Sequence, residues 1–221
     1  MLDFGLFMLF GTLETFAIFF LAFKVFKIDI YLKEMIFAGF IVNFFSYMIR
    51  VEYGWVELDI IFQYFLIFFF FWLLFRIHPF FSAILTGMIY QGYTTIQFIY
   101  TLIMNYYGLF SLNTVYGNNI SSYVLQLLSA TTTIIIGIYI GKKRNGFDFV
   151  PDKPNGKIEI GKEEKILFIL NLPTLAVSLS FLHFLNTKFI FLIPMLYSVI
   201  LFSYVFLAYR KDRTKYEHIK L

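Results

Sequence analysis

The chain has 221 residues, of which 60% are hydrophobic and only 14% are charged, whereas soluble domains average roughly 45 to 50% apolar and about 25% charged residues. Its 32 phenylalanines and 16 tyrosines carry more apolar surface than a water-soluble fold of this length can bury, so the composition excludes an ordinary soluble domain and indicates a membrane protein. The absence of cysteine excludes disulfides, thiolate metal sites and cysteine nucleophiles.

Seven stretches approach the roughly 20 apolar residues that a helix needs to cross a bilayer. We predict an all-α, polytopic integral membrane protein with one transmembrane domain of seven helices, at about residues 2–23, 35–53, 58–75, 80–104, 119–140, 166–185 and 189–209. A basic loop at 141–165 and a tail at 210–221 complete it. Six helices remain the alternative, because the second stretch is interrupted and the last two are separated only by Asn186, Thr187 and Lys188.

The positions of lysine and arginine predict the orientation of this bundle. If seven helices alternate, 16 of the 18 basic residues fall on one side of the membrane, and only Arg50 and Lys188 fall on the other. Because cytoplasmic loops are enriched in basic residues, we predict an external N-terminus and a cytoplasmic C-terminus in a bacterial plasma membrane. The net charge of +4 is then a signal of topology and of contact with anionic lipid headgroups, and we expect no nucleic-acid partner.

Glu14 is the one ionisable side chain near the centre of a predicted helix. An ionised carboxylate at that depth costs at least a few kcal/mol, and no Lys or Arg is expected beside it, so we expect a protonated carboxyl or one bonded to polar neighbours. The neighbours available at that depth are Asn43, Gln91 and Thr131 to Thr133. Glu14 therefore either belongs to a proton-coupled or cation-binding site or clamps the first helix to the bundle.

Polar residues also recur with helical spacing in the fourth and fifth predicted helices, where they define one face of each. The two stripes are Gly87, Gln91, Thr94, Gln97 and Thr101, and Ser122, Gln126, Ser129, Thr133 and Gly137. Both should point into the bundle, either against each other or at a water-filled cavity. By contrast, the third helix has no polar stripe below Gln63 and is expected to face lipid, and Pro173 predicts a kink in the sixth.

The loop between the fourth and fifth helices is uncharged but contains Tyr106, Tyr107 and Phe110. These aromatic residues either anchor the protein at the membrane interface or form a platform for a cationic or neutral ligand. The candidate ligand-binding residues are Glu14, Asn43, Gln91, Thr94, Gln97, Gln126, Thr133, Tyr106 and Tyr107. We predict no catalytic residue, no metal ligand and no cofactor, and therefore no enzyme.

Three segments carry a resemblance to a known family: Leu13-Glu14-Thr15-Phe16, Phe23-Lys24-Val25-Phe26-Lys27, and Phe75-Arg76-Ile77-His78-Pro79-Phe80. Together with the predicted topology, they resemble the membrane sensor region of Gram-positive, peptide-responsive histidine kinases of the accessory-gene-regulator type, without the kinase part. The resemblance implies a sensor whose last helix passes a signal to a cytoplasmic module. It covers the membrane region and includes no catalytic motif.

Two functions follow as expectations. The first is a non-enzymatic membrane receptor or regulatory subunit that senses a small or peptide ligand and signals through a cytoplasmic or membrane protein partner. The alternative is a small solute-binding transport component with an intramembrane site around Glu14. Both expectations require the lipid bilayer as a partner, and self-association is left open by the sequence.

Overall fold

The computed structural model of the chain describes residues 2–109, 119–151, 160–184 and 192–219. These residues form α-helices and connecting segments, and no strand occurs among them. The helices are α1 (Leu2–Val25), α2 (Leu32–Tyr47), α3 (Val56–Phe69), α4 (Pro79–Tyr106), α5 (Ile120–Lys143), α6 (Lys162–Ile169), α7 (Asn171–Phe184) and α8 (Leu192–Ile219). The all-α prediction is therefore confirmed.

Within the described residues, five stretches are long and apolar enough to cross a membrane: Asp3–Val25, Leu32–Glu52, Val56–Leu74, Ile120–Lys143 and Ile193–Arg213. The 28-residue α4 is not among them, because its stripe of Gln and Thr lowers its hydropathy. Half of its residues are nevertheless buried, since it lies in the interior of the bundle against α3, α5, α7 and α8.

The sixth predicted helix is interrupted shortly before Pro173. α6 ends at Ile169 and α7 begins at Asn171, so the break at Leu170 lies one turn before Pro173. Proline has no N–H to donate to the carbonyl four residues earlier, and its ring clashes with that carbonyl. The predicted kink is thus confirmed, and it divides the segment into helices of 8 and 14 residues.

Two helices widen into π-helical turns at their C-terminal ends. The first covers Met48–Glu52 after α2, and the second covers Phe70–Leu74 after α3. Their wider hydrogen bonds include Tyr53 N–H to Met48 O at 3.1 Å and Phe75 N–H to Phe70 O at 3.0 Å. A π turn shifts the direction of the following side chains relative to a regular helix, and Arg50 lies within the first one.

One half of the bundle is closed by an aromatic core, which we call the aromatic plug. Its members are Phe19 and Phe23 of α1, Phe26 directly after α1, Phe71 in the π turn after α3, the partly buried Phe75 directly after that turn, Phe81 of α4, and Phe149. Phe19, Phe23 and Phe71 have no exposed surface, and their rings meet in edge-on pairs such as Phe19 with Phe71 at 5.1 Å and Phe23 with Phe75 at 4.8 Å. Edge-to-face pairs add stability beyond the buried area alone.

The beginning of the 141–165 loop takes part in this plug and is not only a connector. The N–H of Phe147 donates to the carbonyl of Val25 at the end of α1, over 2.6 Å. Phe149 and Val150 are 6% and 5% exposed and belong to the core. The loop therefore satisfies one of the free carbonyls at the C-terminus of α1 while it adds apolar surface to the plug.

The same end of the bundle gathers many of the basic residues. Asp212 of α8 accepts the N–H of Asp148 at 2.9 Å, and Lys211 pairs with Glu164 of α6 at 2.9 Å. The ends of α1, α5 and α8 and the start of α6 thus meet at one end of the bundle. At the other end, Phe4 and Phe7 contact Tyr47.

Candidate functional site

The half of the bundle opposite the aromatic plug encloses a polar cavity of about 120 Å³. It lies between α1, α2, α3, α4 and α5, and α7 and α8 each contribute one residue. Its polar lining consists of Glu14, Thr15, Asn43, Ser46, Arg50, Gln63, Tyr90, Tyr93, Thr94, Gln97, Thr101, Ser122, Tyr123, Gln126, Ser178 and Tyr197. Phe7, Ile18, Ile60, Ile67, Phe98 and Leu125 supply the apolar part of the wall.

Glu14 is half-buried and lies on the wall of this cavity. The Nε2 amide of Gln97 donates a hydrogen bond to Oε1 of Glu14 at 3.3 Å. Tyr93 and Gln126 also interact with the carboxyl group. No salt bridge to Glu14 occurs within the described residues, so its carboxyl is held by neutral donors.

Asn43 links α2 to the turn that carries Glu14. Its Nδ2 donates to Thr15 Oγ1 at 2.9 Å and to the carbonyl of Gly39 at 2.8 Å. The amide lies directly against Gly11, where a Cβ atom would overlap it. Glycine at this position therefore allows α1 and α2 to approach closely enough for Asn43 to reach the cavity.

A buried ion pair forms the second charged element of the site. Nη2 of Arg50 lies 2.6 Å from Oδ2 of Asp59, and Nε of Arg50 donates to the same oxygen at 2.9 Å. Ser46 and Gln63 donate to that oxygen as well, at 3.1 and 3.0 Å. Asp59 has no exposed surface, and the Arg50 side chain is 17% exposed. The guanidinium also attracts the carboxyl of Glu14 electrostatically.

Several polar atoms in the wall are buried without a hydrogen-bond partner in the described part of the chain. They include Oη of Tyr123 and Oε1 of Gln126. Tyr123 is 8% exposed. Buried polar groups are normally hydrogen-bonded, so these two oxygens mark positions where a polar guest in the cavity would be stabilised.

Five of the nine sequence-derived candidates lie together on the cavity wall: Glu14, Asn43, Thr94, Gln97 and Gln126. Gln91 and Thr133 are buried elsewhere. Nε2 of Gln91 donates to the carbonyl of Tyr197 at 3.0 Å, and Oγ1 of Thr133 donates to the carbonyl of Ser129 at 2.7 Å.

The sequence left open whether the two polar stripes line a cavity or pack against other helices, and the structure shows that they do both. Their halves nearer the cavity line it, through Thr94, Gln97 and Gln126. Their other halves pack against neighbouring helices, where Gly137 lies against Phe20 of α1 and Gly87 lies against Tyr204 of α8.

Tyr106 and Tyr107 lie away from this cavity, at the end of α4. They are 84% and 69% exposed, and their rings contact each other edge-on at 5.4 Å. Phe110, the third aromatic residue of that expected platform, lies outside the described residues.

Sequence reasoning missed the contribution of Arg50, and the expectation that no basic residue lies near Glu14 is wrong. Arg50 lies at the end of an apolar stretch and was assigned to the outer surface together with Asp59. The structure turns both inward, because the Asp59 carboxylate compensates the guanidinium and accepts further hydrogen bonds from Ser46 and Gln63. The sequence signal for this ion pair is the four-residue spacing of Asp59 and Gln63, which places both side chains on the same face of α3.

Comparison with known proteins leaves the site without a precedent: no family model, no curated protein and no solved structure matches this chain. The cavity and its chemistry are therefore the basis for any functional conclusion.

Proposed function

We propose that this chain is a non-enzymatic membrane receptor of seven helices that binds a small cationic or amine-bearing solute in the cavity around Glu14. The observation that carries this proposal is the Glu14 carboxyl group, which forms no salt bridge within the described residues and lies on a cavity wall that also holds the unpartnered oxygens of Tyr123 and Gln126. A carboxylate and a set of acceptor oxygens stabilise a guest that carries positive charge and N–H donors.

The charges of the wall favour a cation over an anion. Arg50 is the one basic residue among the residues that line the cavity, and its guanidinium is already bonded to Asp59. A cationic guest favours the ionised form of the Glu14 carboxyl, and with Glu14 and Asp59 both ionised these two groups and Arg50 sum to a formal charge of −1. An added ammonium group would neutralise that charge, whereas an added carboxylate would face Glu14 without a free cation.

The size of the cavity selects small solutes. Its volume of about 120 Å³ is well below the roughly 300 to 1,000 Å³ of sites that hold drug-sized ligands. A solute of a few heavy atoms fits this description better than a peptide, which would have to contact the exposed surface instead.

The aromatic plug supports reception over transport. It separates the cavity from the end of the bundle where the basic segments meet, through side chains that are almost fully buried. A bound solute would therefore act by shifting the helices that meet at that end. In this proposal the N-terminus is external, and the basic cytoplasmic end contacts a partner protein.

A solute-binding transport component remains the second candidate, and one feature favours it. The π turns after α2 and α3 and the break before α7 are positions where helices bend most readily. Movement there would be needed to open the plug during transport.

The experiment is a binding measurement with the protein reconstituted in nanodiscs. Ammonium, methylammonium and ethylammonium ions are the probes, and acetate is the anionic comparison. We expect saturable binding of an ammonium probe, and Glu14→Gln should weaken it roughly tenfold or more because a charge-assisted hydrogen bond is lost. Glu52→Gln, which neutralises an exposed carboxylate on the π turn after α2, is the matched control and should bind normally.

Equal binding of acetate, or unchanged binding by Glu14→Gln, would contradict the proposal. The same protein in sealed liposomes separates the two candidates, since a receptor binds methylammonium without moving it into the lumen. Time-dependent uptake that Glu14→Gln abolishes would instead establish transport.

A further inference from the structure

A second concave region lies at the opposite end of the molecule, and the proposed solute site does not involve it. This groove has a volume of about 700 Å³ and runs between the ends of α1 and α5 and one face of α8. It is lined by Lys27, Arg144, Asn145, Gly146, Phe147, Phe202, Val205, Phe206, Tyr209 and Asp212.

One end of the groove is cationic. Lys27 and Arg144 are both exposed; Lys27 lies two residues after the end of α1 and Arg144 directly follows α5, and these two helices pack along each other. Neither side chain forms a salt bridge in the described part of the chain. Their charges therefore face the same space without an internal counter-charge bonded to either.

The backbone holds these two residues in a fixed position. Lys27 has φ 53° and Arg144 has φ 51°, values in the left-handed region that non-glycine residues adopt rarely and mostly where surrounding contacts impose them. Each of them closes the C-terminus of its helix, because the N–H of Ile28 donates to the carbonyl of Phe23 at 2.9 Å and the N–H of Asn145 donates to the carbonyl of Ile140 at 3.2 Å. The turn at Gly146 packs against the end of α1, where a Cβ would lie 2.6 Å from the carbonyl oxygen of Val25. The backbone segments that carry the two cations are thus held side by side at this end of the groove.

The other end of the groove is apolar. Phe202, Phe206 and Tyr209 follow one face of α8 and are 70%, 53% and 62% exposed. The rings of Phe202 and Phe206 are nearly parallel, with their centroids 6.2 Å apart. The eight residues from Phe202 to Tyr209 extend about 10 Å along the helix, so the apolar wall leads away from the charged end into the span of the membrane.

Asp212 adds an acceptor near the charged end. One of its carboxylate oxygens, Oδ1, accepts the N–H of Asp148 at 2.9 Å. With Lys27 and Arg144 the groove has a formal charge of +1, so it favours an anion. The carboxylate in addition favours a headgroup that carries hydroxyl donors.

We propose that this groove binds one phospholipid with an anionic, hydroxyl-bearing headgroup, of which phosphatidylglycerol is the type. The phosphate lies between Lys27 and Arg144, the glycerol hydroxyls face Asp212, and an acyl chain follows Phe202 and Phe206. Basic residues at the cytoplasmic surface attract anionic lipids, and basic pockets beside membrane helices bind their headgroups. The site requires that the chain spans a membrane, but it does not depend on the solute proposed for the Glu14 cavity.

Native mass spectrometry of the full chain, titrated separately with phosphatidylglycerol, phosphatidylethanolamine and phosphatidylcholine, tests this site. We expect one phosphatidylglycerol to remain bound under conditions that remove the other two lipids. The double variant Lys27→Gln/Arg144→Gln should weaken that binding roughly tenfold or more. Lys33→Gln/Lys142→Gln removes the same charge from exposed residues outside the groove and should change binding by less than about threefold.

Equal retention of phosphatidylcholine, or equal weakening in the control variant, would overturn the site. Glycerol 3-phosphate is the second arm: if it competes as well as the lipid does, the ligand is a free phosphate and the lipid assignment is wrong. Should the double variant not fold, Phe202→Gln gives an independent readout, because loss of the acyl contact must also weaken phosphatidylglycerol binding. Unchanged binding by that variant would count against the proposal.

Discussion

Replacing one partner of the Arg50–Asp59 ion pair should destabilise the bundle, because the other charge is left without its partner. Replacing both partners together should cost less free energy of unfolding than the sum of the two single replacements. Asp59 is fully buried and the Arg50 side chain is 17% exposed, so a remaining charge has little access to water. Breaking a buried pair in this way typically costs about 3 to 5 kcal/mol, much of which is the cost of the charge that is left.

The contacts set the expected size for each variant. Arg50→Met leaves a buried carboxylate whose Oδ2 still accepts hydrogen bonds from Ser46 and Gln63, so we expect a loss of about 3 kcal/mol in the free energy of unfolding. Asp59→Asn leaves the guanidinium with a neutral amide, and the expected loss is similar. In the double variant no uncompensated charge remains, so its loss should fall short of the summed single losses by about 2 kcal/mol or more.

Unfolding of the four proteins in mixed micelles, followed by circular dichroism, gives the four free energies of this cycle. The pair Glu163–Arg210 supplies a matched control, since its atoms lie 3.6 Å apart and the Arg210 side chain is 64% exposed. An exposed pair of this kind should show a coupling below about 1 kcal/mol. If the Arg50–Asp59 coupling is within about 0.5 kcal/mol of zero, the pair is not buried as described.

Three further outcomes test the rest of the structure. Gly146→Ala should lower the free energy of unfolding by about 2 to 4 kcal/mol, because the new Cβ would lie 2.6 and 2.9 Å from two carbonyl oxygens of α1. Gly5→Ala is the control, since a Cβ at that position has nothing within 4 Å. Equal stability of the two variants would refute this packing. Tyr106→Ala should change stability by no more than about 0.5 kcal/mol, because the side chain is 84% exposed, and a larger loss by the same measurement would show a contact that the structure lacks. In this cysteine-free chain, Lys142→Cys and Arg213→Cys should react with a membrane-impermeant reagent from the same side of the bilayer, and labelling from opposite sides would exclude the proposed topology.

Much of the helical architecture could be predicted because it depends on local properties of the chain. A run of about 20 apolar residues must satisfy its backbone internally in a membrane, and the helix is the structure that does so. Pro173 likewise breaks its helix through its own missing N–H. α8 continues to Ile219, beyond residue 209, where the membrane-spanning segment was predicted to end. Charged residues lower hydropathy but do not prevent a helix from continuing outside the membrane.

The candidate site was predictable only in part, and Gln91 and Gln97 show the reason. Both belong to the same polar stripe of α4, yet Gln97 donates to Glu14 whereas Gln91 donates to the backbone of α8. Periodicity assigns residues to a face of one helix. It does not indicate which neighbouring helix that face meets at each level of the bundle.

The sequence by itself determined that this chain forms membrane-length helices, that two of them turn polar stripes inward, and that the Glu14 carboxyl must be bonded to polar neighbours. These properties follow from the cost of placing polar groups in hydrocarbon, which each segment carries independently of the others. Only the tertiary structure decided that Arg50 lines the cavity with Glu14 while it is bonded to Asp59, and that Lys27 and Arg144 line one groove. Such arrangements depend on contacts between residues far apart in the chain, because a buried charge is stable only where a partner from another helix reaches it.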